Sequence, residues 1–215
     1  MNTQYVDRLS RTDRDVILSL VPQGVRVLDL GCGDCGLLNE LVIQRGVRGT
    51  GVDINGEQLI NGLANGINVY QGNLDEGLAD FPDDSYDFVI LNQTLQVIKN
   101  PLLVMHEMLR IGQYGIVAFP NFTQWRLRKG LFFSGRAPKS PALPFEWYDT
   151  PNIRVLSIID FFDYCRVNRI SVVQERYLTA GRWVKKLPLR NLLCHIGLFV
   201  ITRGQADRMK HREPA

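Results

Sequence analysis

Histidine is almost absent from this chain. The three residues in 215, His106, His195 and His211, stand apart and form no constellation with a nucleophile or a metal ligand. Cysteine is scarce as well: Cys32, Cys35, Cys165 and Cys194 are too few for a disulfide framework at this length. Cys165 and Cys194 have no paired His or Cys beside them, so no metal site is expected. Long apolar runs are missing. Phe88 to Leu91 and Leu198 to Ile201 are strand-sized and far too short to span a bilayer. The first residues, MNTQYVDRL, lack the apolar core of a secretory signal. Low-complexity sequence is absent, which argues against global disorder. These absences point to a cytoplasmic protein away from the membrane.

What is present suits one folded domain. Apolar residues make up 45% of the chain and charged residues 22%, enough for a sizeable core. The domain is expected to occupy residues 1–203, with polar residues 204–215 as a flexible tail. The net charge of +3 conceals an asymmetry: residues 1–120 hold 8 Lys/Arg against 15 Asp/Glu, residues 121–215 hold 17 against 7. A basic second half can attract an acidic partner, nucleic acid or phosphate, or simply the acidic first half.

The hydrophobic pattern alternates between short apolar runs and helical spacing. A helix is expected over 12–20, capped by Thr12 and closed by Pro22 and Gly24. Strands are expected at Arg26 to Leu30, Arg48 to Ile54, Asn68 to Gln71, Ser85 to Asn92 and Tyr114 to Phe119, with helices between them. SYDFVILN reads as a central parallel strand covered on both faces. That rhythm predicts an α/β fold with a doubly wound, mostly parallel sheet. After Pro120 the pattern changes. Asn121 to Phe133 reads as an aromatic, basic helix, and Pro138, Pro141, Pro144 and Pro151 make Ser134 to Asn152 irregular. A helix near Ser157 to Val167 and strands near Ile170 to Leu178 and Leu198 to Thr202 complete the sheet, with 121–152 as a lid or insert.

The most informative stretch is VLDLGCGDCG. Gly31, Gly33 and Gly36 satisfy G-x-G-x-x-G between a strand and a helix, where a tight turn lets backbone approach a cofactor. Asp53 follows Gly33 by 20 residues at the end of the second strand, placed to accept from ribose hydroxyls. This set also fits NAD. Asp29, two residues before Gly31, decides between them, because a carboxylate facing the turn repels a pyrophosphate and suits an ammonium beside a sulfonium. S-adenosylmethionine (SAM) carries both. Cys32 and Cys35 also spell C-x-x-C, but they lie inside the turn with no thioredoxin-like context, and Cys32 reads as a small turn residue.

VLDLGCG resembles motif I of class I SAM-dependent methyltransferases. The resemblance implies their Rossmann fold with a seven-stranded sheet, and SAM or S-adenosylhomocysteine (SAH) as ligand. It implies a cofactor set of Asp29, Gly31, Cys32, Gly33, Asp53, Ile54, Asn73, Leu74 and Asn92. By the same resemblance Asn73 is expected to face the adenine amino group and Asn92 the methionine part of the ligand. VILNQTLQVIKNP, EMLRIGQYGIVAFPNFTQWRLR and LPFEWYDTPNI are similar to the MetW methionine-biosynthesis family, whose other members share these strings while generic methyltransferases do not. With VLDLGCGDC and QGNLDEGL the likeness runs over roughly residues 15–180. It implies a role beside homoserine O-acyltransferase as an accessory subunit. The family usually has Gly where this chain has Cys35, an acidic pair near Asp53 to Asn55, and Asp at Asn73. The Cys35 side chain is expected near the cofactor's path.

Methyl transfer requires mainly alignment of nucleophile, methyl carbon and sulfur, so the sequence need not display a base, and no catalytic residue is assigned. Tyr148 and Asp149 are candidates for an acceptor pocket, or Trp147 and Tyr148 pack the proline-rich loop. Three functions stay open: the accessory subunit, a small-molecule methyltransferase, and an RNA methyltransferase using the aromatic, basic stretch Phe122 to Lys139. Trp125, Arg126, Arg128, Trp147 and Tyr148 are the candidate partner-binding residues.

Overall fold

Apolar runs bounded by turn residues become strands here because their backbone groups pair laterally while both faces are covered. A computed structural model describes residues 13–137, 139–140 and 142–203. Thr12, Pro138, Pro141, His211 and the 204–215 tail lie outside the described residues. Residues 13–20 are helical (α1) and lead to β1 (Arg26–Leu30), α2 (Gly36–Arg45), β2 (Arg48–Asp53), α3 (Gly56–Ala64) and β3 (Asn68–Gln71). Then come β4 (Tyr86–Asn92), α4 (Pro101–Ile111), β5 (Gly112–Pro120), α5 (Trp125–Ser134) and α6 (Ile158–Val167). The chain continues with β6 (Ser171–Thr179), β7 (Arg182–Val184), α7 (Arg190–Leu193) and β8 (Ile196–Thr202).

Among the described residues eight strands form one sheet, in the order β3-β2-β1-β4-β5-β8-β6-β7. Strands β1 to β5 are parallel, β8 runs antiparallel to β5, and β6 and β7 extend that mixed edge. The expected count of seven is therefore one short. The extra strand is β7, folded back on β6 through Ala180 and Gly181, both at positive φ (47° and 76°). Two such residues make the tight turn whose twist matches a hairpin.

Alternate residues of each central strand enter two separate cores, as the period of a strand requires. Leu28, Val89, Leu91, Val117 and Phe119 pack with Met105 and Met108 of α4 and Phe161 of α6. Phe161 stacks on Phe199 at 4.8 Å between ring centroids. On the other face Val27, Phe88, Ile90 and Ile116 meet Ile17 of α1, Leu38 and Leu41 of α2 and Leu59 of α3. Each fully buried Leu, Val or Phe contributes roughly 1.5–3 kcal/mol, so the sheet is held from both sides. Because β2 and β3 lie on one side of β1 and β4 and β5 on the other, the chain reverses direction between β1 and β4. The crevice at the carboxyl ends of those strands is where such sheets bind ligands.

Local signals set the helix ends. Ser157 and Asp160 form a reciprocal capping box at α6, and Asn55 accepts from the Glu57 and Gln58 amides at α3. Helix α5 starts at Trp125, not at Asn121. Asn121 is buried and its amide donates to the carbonyls of Asn191 and Cys194, while Gln124 caps the helix at Arg126 N. Asn121 is thus committed to the β8 side. Residues 135–157 contain no helix or strand among those described, apart from a single bridge between Ser140 and Leu143.

Candidate functional site at the strand switch

The turn after β1 is shaped by positive φ at Gly31 (74°), Gly33 (55°) and Cys35 (59°). Gly31 is required on two counts: its backbone is left-handed, and a Cβ there would lie 2.6 Å from Thr94 Cγ2. The Gly31 and Cys32 amides donate to Val52 O at 2.8 and 3.1 Å, which ties the turn to β2. Asp53 completes the tie. One carboxylate oxygen accepts from Gly33 N (2.8 Å), the other from Asn55 N (2.9 Å). Each oxygen keeps further lone-pair capacity for a hydroxyl.

Beside this turn is a cleft of about 340 Å³ lined by Gly31, Asp53, Ile54, Gly72, Asn73, Leu74, Asp75, Thr94, Val97 and Ile98. Its volume falls within the range of small-molecule sites. Five of the residues singled out from sequence share this wall: Gly31, Asp53, Ile54, Asn73 and Leu74. Asn73 lines it while also serving as a cap, accepting from Asp75 N and donating to Glu76. Gly33 joins the site through Asp53, but Asp29, Cys32 and Asn92 are not in the wall. Thr94, Val97 and Ile98 were not anticipated; their only signal was position just past Asn92. Asp75, which accepts from Asn100 N at 2.7 Å, was also missed.

Asp29 is buried inside β1. Burial pushes its carboxyl up to about 7, against the pull of Arg14, with Asp53 adding to the rise. Asn92 Oδ1, at the end of β4, is buried with no hydrogen-bond partner among the described residues. Asp13, at the start of the described part of α1, is pushed up to about 7 by burial, moderated by a hydrogen bond from Gln93 Nε2 (2.9 Å).

The cysteine pair differs from expectation. Cys35 is fully buried, and its Sγ lies 3.3 Å from that of Cys32. A Cβ on Gly62 of α3 would come within 2.6 Å of Cys35 Sγ, and one on Gly51 of β2 within 2.7 Å of Cys32 Sγ. Both thiols therefore fill space that two glycines leave in the core. The left-handed backbone of Cys35 turns its side chain inward, away from the cofactor's path where it was expected. Burial raises both thiol pKa values, which removes the thiolate that redox chemistry needs.

His106 is an exposed residue of α4 beside Glu107, and His195 is half-buried with its pKa lowered by burial and Arg126; neither lines the cleft. Tyr148 and Asp149 do not line it either; Asp149 accepts from Glu146 N in its own loop. The aromatic segment is turned outward. Phe132 is 82% exposed and Trp147 76%, and Phe133 and Tyr148 are nearly as open, while Arg126 lies over the Trp125 ring.

Known proteins agree with this architecture. A SAM-dependent methyltransferase from Archaeoglobus fulgidus superposes with a TM-score of 0.61 at 15% identity, covering 89% of this chain and 91% of its own. A TehB-like SAM-dependent methyltransferase from Corynebacterium glutamicum gives 0.59 at 12%, covering 90% and 88%. The fold is thus that of class I methyltransferases. Among curated relatives, a ubiquinone biosynthesis O-methyltransferase of Hahella chejuensis is 33% identical over 101 residues, 45% of this chain and 42% of its own. A bifunctional methionine biosynthesis protein MetXA/MetW of Rhodopirellula baltica is 39% identical over 160 residues, 70% of this chain. The chain spans only 26% of that relative's length. The sequence model of the family described as methionine biosynthesis protein MetW matches residues 11–201, the span that carries the glycine turn, the cleft and nearly the whole sheet, and the chain belongs to that family.

Proposed function

We propose that this protein binds SAM or SAH in the cleft beside β1 and works as an accessory subunit of a homoserine O-acyltransferase. The single observation behind the accessory role is the fused relative, in which a MetXA part and a MetW part share one chain. Parts joined covalently in one protein are good candidates to act side by side when separate. The exposed Phe132 and Trp147, and Arg126 over the Trp125 ring, give the chain aromatic and basic anchors suited to an interface.

The cleft suits the cofactor on the grounds of its own atoms. Asp53 is held by two backbone donors in the cleft wall, and Gly31, against which Thr94 packs, brings bare backbone to the same wall. Ile54 and Leu74 supply apolar surface for a base, and Asn73 stands beside them. SAM, when bound, supplies an electrophilic methyl group. The titratable side chains in the cleft wall are Asp53 and Asp75, both already engaged by backbone amides, so no general base is assigned. A second reading, methyl transfer to a small molecule, is favoured by the likeness to ubiquinone biosynthesis O-methyltransferases. A cytoplasmic location goes with both.

Reconstitution separates them. Acyl transfer to homoserine by the cognate enzyme would be measured with and without this protein, then with Phe132→Ala and Trp147→Ala. A rate increase with co-elution, reduced in the variants, is the expected result. No rate change and no co-elution would discard the accessory role in favour of methyl transfer.

A further inference from the structure

A second cavity, of about 220 Å³, opens where the starts of α4 and α6 meet the segment before α6. It shares no lining residue with the cleft. One short turn, residues 94–98, serves both: Thr94, Val97 and Ile98 line the cleft, and Leu95 lines the cavity. The wall is mostly apolar. Leu95, Met105 and Phe161 are buried, while Leu102 and Val155 are 66% and 79% exposed, which leaves the cavity reachable from solvent.

Two charged residues interrupt this apolar wall, Arg154 and Asp160. Arg154 is fixed in place. Its amide donates to Gln96 O (3.0 Å), its Nε to Ile98 O (3.4 Å) and its Nη2 to Lys99 O. Its Nη1 is left with no hydrogen bond among the described residues. Asp160 is fixed as well, because Oδ2 accepts from the Ser157 amide (2.9 Å) and hydroxyl (2.7 Å), and Oδ1 keeps its lone pairs. Neither residue joins an ion pair among the described residues, with the other or elsewhere. A fixed cation and a fixed anion that do not reach one another, set in one apolar wall, match a molecule carrying both charges and an apolar body.

We propose that this cavity binds a free α-amino acid with an apolar side chain. Its carboxylate meets Arg154, its ammonium meets Asp160, and its side chain lies on Leu95, Met105 and Phe161. Guanidinium suits carboxylate in shape and charge, and an ammonium donates readily to a carboxylate oxygen. A plain acid or a plain amine would answer only one of the two charges. Size narrows the class. An apolar cavity of about 150 Å³ holds a molecule of benzene's size, so this one suits a side chain such as that of leucine or methionine. It lies below the range of sites that enclose drug-sized ligands. The proposal does not depend on what the cleft binds.

Calorimetry on the full chain, each variant first checked by thermal melting, tests it. L-Leucine and L-methionine would be titrated into wild type, beside 4-methylpentanoate (no ammonium), 3-methylbutylamine (no carboxylate) and L-serine (no apolar side chain). Leucine and methionine are expected to bind, serine not, and each singly charged analogue to bind about three- to fivefold more weakly than leucine, the scale of one solvent-exposed ion pair. Asp160→Asn keeps an oxygen for the Ser157 cap and removes only the charge; it should weaken leucine by the same factor and leave 4-methylpentanoate unchanged. Leu102→Trp, at an exposed position of α4, should fill the cavity and abolish binding. Asp53→Ala, in the cleft, should leave leucine affinity unchanged. No binding of leucine or methionine to wild type would overturn the proposal. So would equal leucine affinity in Asp160→Asn and wild type, or loss of leucine in Asp53→Ala, which would place the amino acid in the cleft.

Discussion

Asp13 ties the stability of the fold to pH in a direction that can be worked out in advance. A free aspartate ionises near 3.9, whereas burial pushes Asp13 up to about 7 in the fold. Between those values the native state holds a proton that the unfolded chain has lost. Stability therefore falls as pH rises from about 4 to about 7 and levels off above that. The slope is about 1.36 kcal/mol per pH unit and weakens as Asp13 becomes half ionised near pH 7, so the interval from about pH 5 to about pH 7 carries about 2.3 kcal/mol. Asp13→Asn removes this titration with little change in shape and still offers an oxygen to Gln93 Nε2. The variant is expected to gain about 2–3 kcal/mol on wild type between about pH 5 and pH 8.5. Asp29, also raised to about 7, adds a contribution of the same sign, but it is present in both proteins and cancels in the difference. Urea melts of ligand-free protein at four pH values and constant ionic strength would measure the gap. A gap that stays constant with pH would refute the reasoning, because it would mean that the carboxylate is already charged in the fold at pH 5.

Three other substitutions test the turn and its core. Gly31→Ala forces a Cβ to 2.6 Å from Thr94 Cγ2 at a φ of 74°, so it should lower stability by about 2 kcal/mol or more and abolish SAH binding; Thr94→Ala in the same chain should restore part of both. Cys35→Ala should cost about 1–2 kcal/mol for the lost thiol packing yet leave SAH affinity within about twofold, since the thiol faces Gly51 and Gly62; a large affinity change would place it in the cleft. Asp53→Ala removes the acceptor of the Gly33 and Asn55 amides and is expected to weaken SAH by about 1.5–3 kcal/mol; calorimetry showing equal affinity would reject Asp53 as a ribose contact.

Much of the architecture could be read along the chain because its causes are local. Phe88 to Leu91 is apolar at every position and became a strand buried on both faces. Ser157 and Asp160 are three residues apart and became a capping box. The glycine turn, Asp53 and Asn73 could be named because a strand end, a tight turn and a loop each need particular residue types within a short window. Ala180 and Gly181 carried the signal for β7, but weakly, since Ala at positive φ is not a usual turn residue.

Sequence alone thus determined the α/β rhythm, the turn after β1 and the residues along the near wall of the cleft, all governed by backbone conformation and hydrophobic period. Tertiary structure alone decided the rest. Asp13 meets Gln93 across 80 residues of chain, a contact that exists only because α1 packs where β4 ends. Cys35 faces the core because glycines on β2 and α3, elements formed later in the chain, leave room for its sulfur. The aromatic stretch around Phe132 could have been a buried face or an open one by composition. Its exposure was settled by the commitment of Asn121 to the β8 side, which delays α5 to Trp125 and leaves most of its aromatic rings outward. Long-range packing sets which way a side chain points, and a window of sequence holds no record of what will stand opposite it.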